Sequence, residues 1–170
     1  FGVEDVLGVD GKWVDENQLH VNINPSEFME WDLENKLSLS KKYDLVVSLE
    51  VAEHLSSESA NIFVQSLVNS GNLILFSAAI PYQGGLNHIN EQWLTYWEEK
   101  FLKYDFVIHD IIRPMFWDNP EIFVWYKQNM VLIAPREFKI DIDLKSLSMR
   151  NIVHPEIYED RQKNLMDIVK

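Results

Sequence analysis

Apolar residues recur along the chain in short runs that end on polar or acidic positions, the pattern of strands covered on both faces of a sheet. Val6-Leu7-Gly8-Val9-Asp10-Gly11 predicts a short buried strand closing in an acidic turn, and Phe28-Met29-Glu30-Trp31-Asp32 predicts a second, again ending in Asp. Tyr43-Asp44-Leu45-Val46-Val47-Ser48-Leu49 is the clearest parallel-strand candidate, and the run from Leu73 to Ser77 is another. Between these two, Ala60, Phe63, Val64, Leu67 and Val68 fall at helical spacing and form one apolar stripe. Ser56 and Ser57 are good N-caps for that helix, and Asn69-Ser70-Gly71 supplies its stop. Nearer the start, Trp13 to Gln18 reads as a short helix and Asn24-Pro25-Ser26 as a turn.

The second half keeps the alternation. The stretch from Ala78 to Asn90 carries Pro81, Gly84 and Gly85 and reads as a loop, after which Asn90 can cap a helix whose Trp93, Trp97 and Phe101 sit four apart and read as core. Phe106 to Ile112 predicts a strand, Pro114, Asn119 and Pro120 mark a loop, and Trp125 to Ala134 predicts the last strand. With no helix expected between those two strands, they are expected to pair antiparallel. Residues 135–170 read as a peripheral extension, with a charged helical end from Pro155 to Lys170 that presents a solvated face. The order strand, helix, strand, strand, helix, strand, helix, strand, strand implies an α/β domain over residues 1–134. Ligands of such sheets bind beyond the carboxyl ends of the strands, where Asp10, Asp32 and Glu50 fall.

Composition narrows the function classes. Across 170 residues, 46% hydrophobic and 25% charged content fits one globular domain with a real core. A net charge of −12 argues against a partner gripped through phosphates, so nucleic acid is not expected. There is no cysteine, hence no disulfide framework and no thiolate metal site. No apolar run is long enough to span a bilayer, and no signal peptide is evident; a cytoplasmic location is the expectation. The chain opens on Phe1 and is in an apolar strand within ten residues, which reads as a piece of a longer product.

Several polar residues are candidates for chemistry. Asp10 stands where a carboxylate accepts both hydroxyls of a ribose, or simply forms an Asp-Gly turn. Asp32 is placed to accept from an adenine amino group or to cap a turn. In Leu49-Glu50-Val51-Ala52-Glu53-His54-Leu55, Glu50, Glu53 and His54 stand at i, i+3 and i+4, one face of a helical turn. They suit a divalent metal, a His54 general base oriented by a Glu, or acids at the positive end of a helix. His88, in Gln83-Gly84-Gly85-Leu86-Asn87-His88-Ile89-Asn90, is expected at the same sheet edge as Glu50, in a site or as a loop cap. His20, His109 and His154 have no comparable setting.

Together these segments resemble class I S-adenosylmethionine-dependent methyltransferases, over roughly residues 3–134. Val6 to Gly11 resembles that superfamily's second strand, which implies Asp10 and Gly11 at the cofactor ribose. Asp32-Leu33 resembles the third-strand end, which implies Asp32 and the Leu33 amide at the adenine. Tyr43 to Leu55 resembles the fourth strand and its turn, which implies Ser48, Leu49 and Glu50 beside the cofactor. The late strand pair resembles the antiparallel hairpin of these sheets, so the implied fold is a Rossmann-like methyltransferase sheet, mostly parallel. Within the superfamily, Glu-x-x-Glu-His plus a later His is similar to the small-RNA 2′-O-methyltransferases and, less fully, the ubiquinone-pathway O-methyltransferases. That resemblance implies Glu50, Glu53, His54 and His88 as ligands of Mg²⁺ or another divalent ion, with His54 and His88 in catalytic positions. It implies S-adenosylmethionine as the cofactor. Leu75 to Trp97 also resembles methyltransferases of bacterial sugar and glycan pathways, so the expected acceptor is a hydroxyl of a small molecule or glycan. A nicotinamide-dependent oxidoreductase and an inactive methyltransferase-like domain are the alternatives. The family's first strand and its Asp/Glu-x-Gly-x-Gly-x-Gly loop are not among these residues; the expectation is an amino-terminally incomplete sheet, with either a gap or direct pairing between the strands ending at Asp10 and Leu49.

Overall fold

The apolar runs before Glu50 and before Ala78 become neighbouring parallel strands at one side of a four-stranded sheet. The computed structural model describes residues 2–14, 23–139 and 149–168; most of the helix expected from Trp13 to Gln18 lies outside them. The described residues hold six strands: β1 (Gly8–Asp10), β2 (Phe28–Glu30), β3 (Val46–Leu49), β4 (Ile74–Ser77), β5 (Phe106–His109) and β6 (Val131–Pro135). The helices are α1 (Ala60–Ser70), α2 (Leu94–Leu102), α3 (Ile112–Phe116), α4 (Val124–Asn129) and α5 (Pro155–Ile168). The larger sheet runs β3-β4-β6-β5, with β3 and β4 parallel and β6 antiparallel to both its neighbours. This is the Rossmann-like α/β sheet with an antiparallel terminal pair.

The core forms where β4 meets α1 and α2. Phe76 of β4 packs against Trp97 at 5.6 Å and Phe101 at 5.4 Å between ring centroids. Phe63, Val64, Leu67 and Val68 of α1 are buried beside them, as their spacing predicts. Each such side chain contributes roughly 1.5–3 kcal/mol on burial. Gly71 has a positional reason: a Cβ there would sit 2.7 Å from the Tyr43 carbonyl oxygen and 2.8 Å from Val46 Cγ2. Tyr43 and Gly71 bridge in parallel at this point. Gly71→Ala is therefore expected to cost about 1–3 kcal/mol through overpacking, seen as a lower urea midpoint at unchanged m-value.

β1 and β2 pair in parallel as a separate two-stranded sheet, Gly8 opposite Phe28 and Asp10 opposite Glu30. Of the two outcomes expected for the strands ending at Asp10 and Leu49, the gap is the one found. A cleft of about 820 Å³ lies between the two sheets, lined by Val6, Val9, Leu33, Val47, Phe63 and Leu67 among others.

Several expectations need correction. The β5–β6 connection is not free of helix, since α3 and α4 lie within it. The strand expected from Trp125 starts only at Val131, because residues 124–129 are helical and their buried positions are the polar Lys127, Gln128 and Asn129, which give no apolar stripe. The strand expected to run to Ile112 ends at His109, and Pro114 is accommodated in the first turn of α3. Likewise α2 begins at Leu94 rather than beside Asn90, so Trp93 stands at its N-cap, exposed, while Leu94 replaces it in the core. The segment expected to be peripheral, 135–170, puts His154 and Ile157 into buried positions.

Candidate functional site

Beyond the carboxyl end of β3 the chain turns sharply. Glu50 has φ 52°, a left-handed conformation uncommon for a residue with a side chain. Its backbone N–H donates to the Ser77 carbonyl at 3.1 Å and to the Ser77 hydroxyl at 3.0 Å, which ties the end of β3 to the end of β4. Only then does a single 3₁₀ turn form, Ala52–His54. The expectation that Glu50, Glu53 and His54 share one helical face therefore fails at Glu50, which lies upstream of the turn.

Three of the four residues expected to converge do so. Glu53, His54 and His88 each offer a ligand atom, and these atoms lie within 4.8 Å of one another. The Glu53 carboxylate is 0% exposed, and neither of its oxygens has a hydrogen-bond partner. His88 Nε2 stands 3.9 Å from Glu53 Oε1, and the His54 ring meets the His88 ring edge-on at 4.8 Å between centroids. His54 is the exposed member. Burial first, and the neighbouring Glu50 charge second, push the Glu53 carboxyl up to about 8. Glu50 itself accepts from Gln83 Nε2 at 2.9 Å and from Asn129 Nδ2 at 3.1 Å, and Asn129 Nδ2 also donates to Gln83 Oε1 at 2.8 Å.

The His88 loop is fastened to the turn by its backbone. The N–H groups of Ile89 and Asn90 both donate to the Glu53 carbonyl at 3.0 Å. Gly85 lies directly beneath the His88 imidazole: a Cβ there would fall 2.3 Å from His88 Cε1 and Nε2. Gly85→Ala is expected to swing the ring off Glu53 while the fold survives. In NMR spectra the His88 ring signals would shift, with melting changed by only a few degrees; an unmoved ring would contradict this reading of Gly85.

The residues expected at the cofactor are spread over both sheets. Asp10 ends β1, and its Oδ1 accepts the Gly11 N–H at 2.7 Å. Asp32 follows β2 in a turn whose own groups engage both its oxygens: Glu34 N–H at 3.0 Å and Asn35 Nδ2 at 2.9 Å. Leu33 and Ser48 line the cleft between the sheets, and Ser48 is buried with an unpartnered hydroxyl. Leu49 closes β3 opposite Ser77. Gln83 and Asn129, which hold Glu50, were not expected; they reach it from 33 and 79 residues away in sequence, where no local pattern points. His109 lies in β5, where burial and then the Arg150 charge lower its pKa.

No helix among the described residues is long and apolar enough to cross a membrane. No known protein family and no curated protein matches the sequence. A solved structure of LepI in complex with SAM shares the fold, with a TM-score of 0.50 and 10% identity over 79% of this chain. The match takes in 44% of that structure, so this chain spans less than half its length.

Proposed function

We propose that the protein transfers a methyl group from S-adenosylmethionine to a hydroxyl of a small molecule or glycan, at a centre where Glu53, His54 and His88 hold a divalent cation. The observation that carries this reading is Glu53: a carboxylate with no hydrogen-bond partner, fully buried beside two imidazoles. Burial keeps the Glu53 carboxyl protonated up to about pH 8, and a cation bound there would take the place of that proton; a carboxylate with two imidazoles is a donor set that suits such ions. The fold shared with a SAM-bound structure supports the cofactor. So does Asp10 at the end of β1, the position from which it would hold the ribose, with the Leu33 amide toward the adenine. Asp32 fits less well, because its oxygens are engaged within their own turn.

A divalent cation in such a centre lowers the pKa of a bound hydroxyl and fixes its direction. Glu53, His54 and His88 would hold such an ion, with His54 the exposed member of the three. Glu50 is oriented by Gln83 and Asn129 and adds negative charge beside the centre without entering it. With S-adenosylmethionine bound, the acceptor oxygen would take the sulfonium methyl in line, S-adenosylhomocysteine would leave as the carbon–sulfur bond breaks, and the hydroxyl proton would pass to solvent on the exposed His54 side. His54 is the imidazole placed to take that proton where no cation is held.

Calorimetric titration with S-adenosylhomocysteine, with and without Mn²⁺, tests the reading. Micromolar binding of S-adenosylhomocysteine and methyl transfer from labelled cofactor that rises with Mn²⁺ are expected. Binding of a nicotinamide dinucleotide in its place would overturn it.

A further inference from the structure

Glu91 ties together the loop that carries His88, and the sequence patterns assign it no task of its own. Its Oε1 lies 3.0 Å from His88 Nδ1 and accepts the Gly84 N–H at 2.6 Å, while its Oε2 accepts the Tyr82 N–H at 2.8 Å. One carboxylate thus joins both ends of the loop and the Nδ1 edge of the imidazole. Gly84, at φ 71°, and Tyr82, at φ 68°, hold backbone conformations that point their N–H groups at it. The other ring nitrogen, Nε2, is the one beside Glu53.

We propose that Glu91 is a positioning residue: it accepts a hydrogen bond from His88 Nδ1–H and so leaves the Nε2 lone pair aimed at the Glu53 carboxylate. This rests on the reading of that centre as a cation site only for what Nε2 then binds. An ionised carboxylate can only accept, so the ring nitrogen at hydrogen-bond distance from it, Nδ1 at 3.0 Å from Glu91, carries the proton, whereas Nε2 at 3.9 Å from Glu53 Oε1 is too far for such a bond. In a neutral imidazole that makes the opposite nitrogen the donor of a lone pair. The hydrogen-bonded carboxylate also raises the basicity of a ligating imidazole and holds its plane, an outer-shell effect worth about 10–100-fold in metal affinity. Glu91 has the reach for both, and its two loop N–H partners keep it from rotating away.

The experiment reads the His88 tautomer directly, by long-range ¹H–¹⁵N correlation of the imidazole in metal-free protein with the ring neutral. Wild type is expected in the Nδ1–H form. Glu91→Ala is expected to move the ring toward the Nε2–H form, and to weaken Mn²⁺ binding about 10–100-fold. Glu91→Gln keeps a carbonyl that accepts from Nδ1 and gives up the Tyr82 bond, so it is expected to retain the wild-type tautomer and lose less affinity. It also serves if the alanine variant unfolds: a Glu91→Gln protein in the Nε2–H form would overturn the proposal. So would a folded Glu91→Ala protein whose His88 keeps the wild-type tautomer. If wild type binds no Mn²⁺ while the tautomer still follows residue 91, the cation reading fails and the positioning role stands.

Discussion

Replacing Arg113 with Ala is expected to remove about 3–5 kcal/mol of stability, the scale for breaking a buried ion pair from one side. Arg113 is 1% exposed and Asp110 0%. The guanidinium grips both oxygens of Asp110, with Nε to Oδ1 at 2.9 Å, and its remaining N–H groups donate to the carbonyls of Arg150 and Met149, each at 3.2 Å. Alanine removes the guanidinium's bonds to a buried carboxylate and to two carbonyls at once. Against a total of roughly 5–15 kcal/mol for a domain, that is a large share. Arg113→Lys should recover little, since an ammonium cannot reproduce the planar fork. Pairing Arg113→Met with Asp110→Leu should recover more, because the desolvated charges go together. Urea unfolding measures all three. Arg113→Ala should also make residues 149–168 the first target of limited proteolysis, since Met149 and Arg150 are what the guanidinium holds. An unmoved midpoint would show that the Arg113–Asp110 pair contributes little to stability.

That anchor shows where the sequence is legible and where it is not. Short apolar runs bounded by polar residues mark β3 and β4, and the stripe from Ala60 to Val68 marks α1, because burial imposes a period that the chain displays. α4 defeats the same logic. Its buried residues are Lys127, Gln128 and Asn129, each stabilised by a distant partner: Lys127 by Glu156 at 2.8 Å, Gln128 by the Ile152 carbonyl at 2.7 Å, and Asn129 by Glu50. Such residues read as surface until the partners are in place. His154 is similar. Its Nε2 lies 2.8 Å from the Trp117 carbonyl, which fixes a ring that the sequence leaves without a setting. At the site, Glu53-His54 and the glycine-flanked His88 are visible as residue types at plausible sheet-edge positions. The displacement of Glu50 is not, because it depends on a positive φ and on Ser77 one strand away.

Glu53→Gln is expected to flatten the fall in stability that wild type shows as pH rises. The Glu53 carboxyl has an ordinary value of 4.5 and is pushed up to about 8 in the folded protein. Below 4.5 both folded and unfolded chains hold the proton, and the group contributes no pH dependence. Between 4.5 and about 8 the unfolded chain releases it while the folded one keeps it, so folding binds a proton and unfolding becomes easier with each step of pH. Above that range the whole penalty is present. Each pH unit across the window is worth about 1.4 kcal/mol, so the difference amounts to several kcal/mol. A glutamine at this position has no proton to release. The variant and wild type should therefore diverge between pH 4.5 and about 8, with the variant gaining. Mn²⁺ should act in the opposite sense. On the proposed cation site it would bind the ionised carboxylate, so at the alkaline end it should stabilise wild type by RT ln(1 + [L]/Kd), about 2.7 kcal/mol at a hundredfold excess over Kd, and leave Glu53→Gln almost unmoved. Thermal melts at the two ends of the range, with and without Mn²⁺, separate the two effects. Parallel pH curves for the two proteins would show that Glu53 titrates alike in the folded and unfolded states and would overturn its upward shift. Equal Mn²⁺ stabilisation of both would place the ion elsewhere.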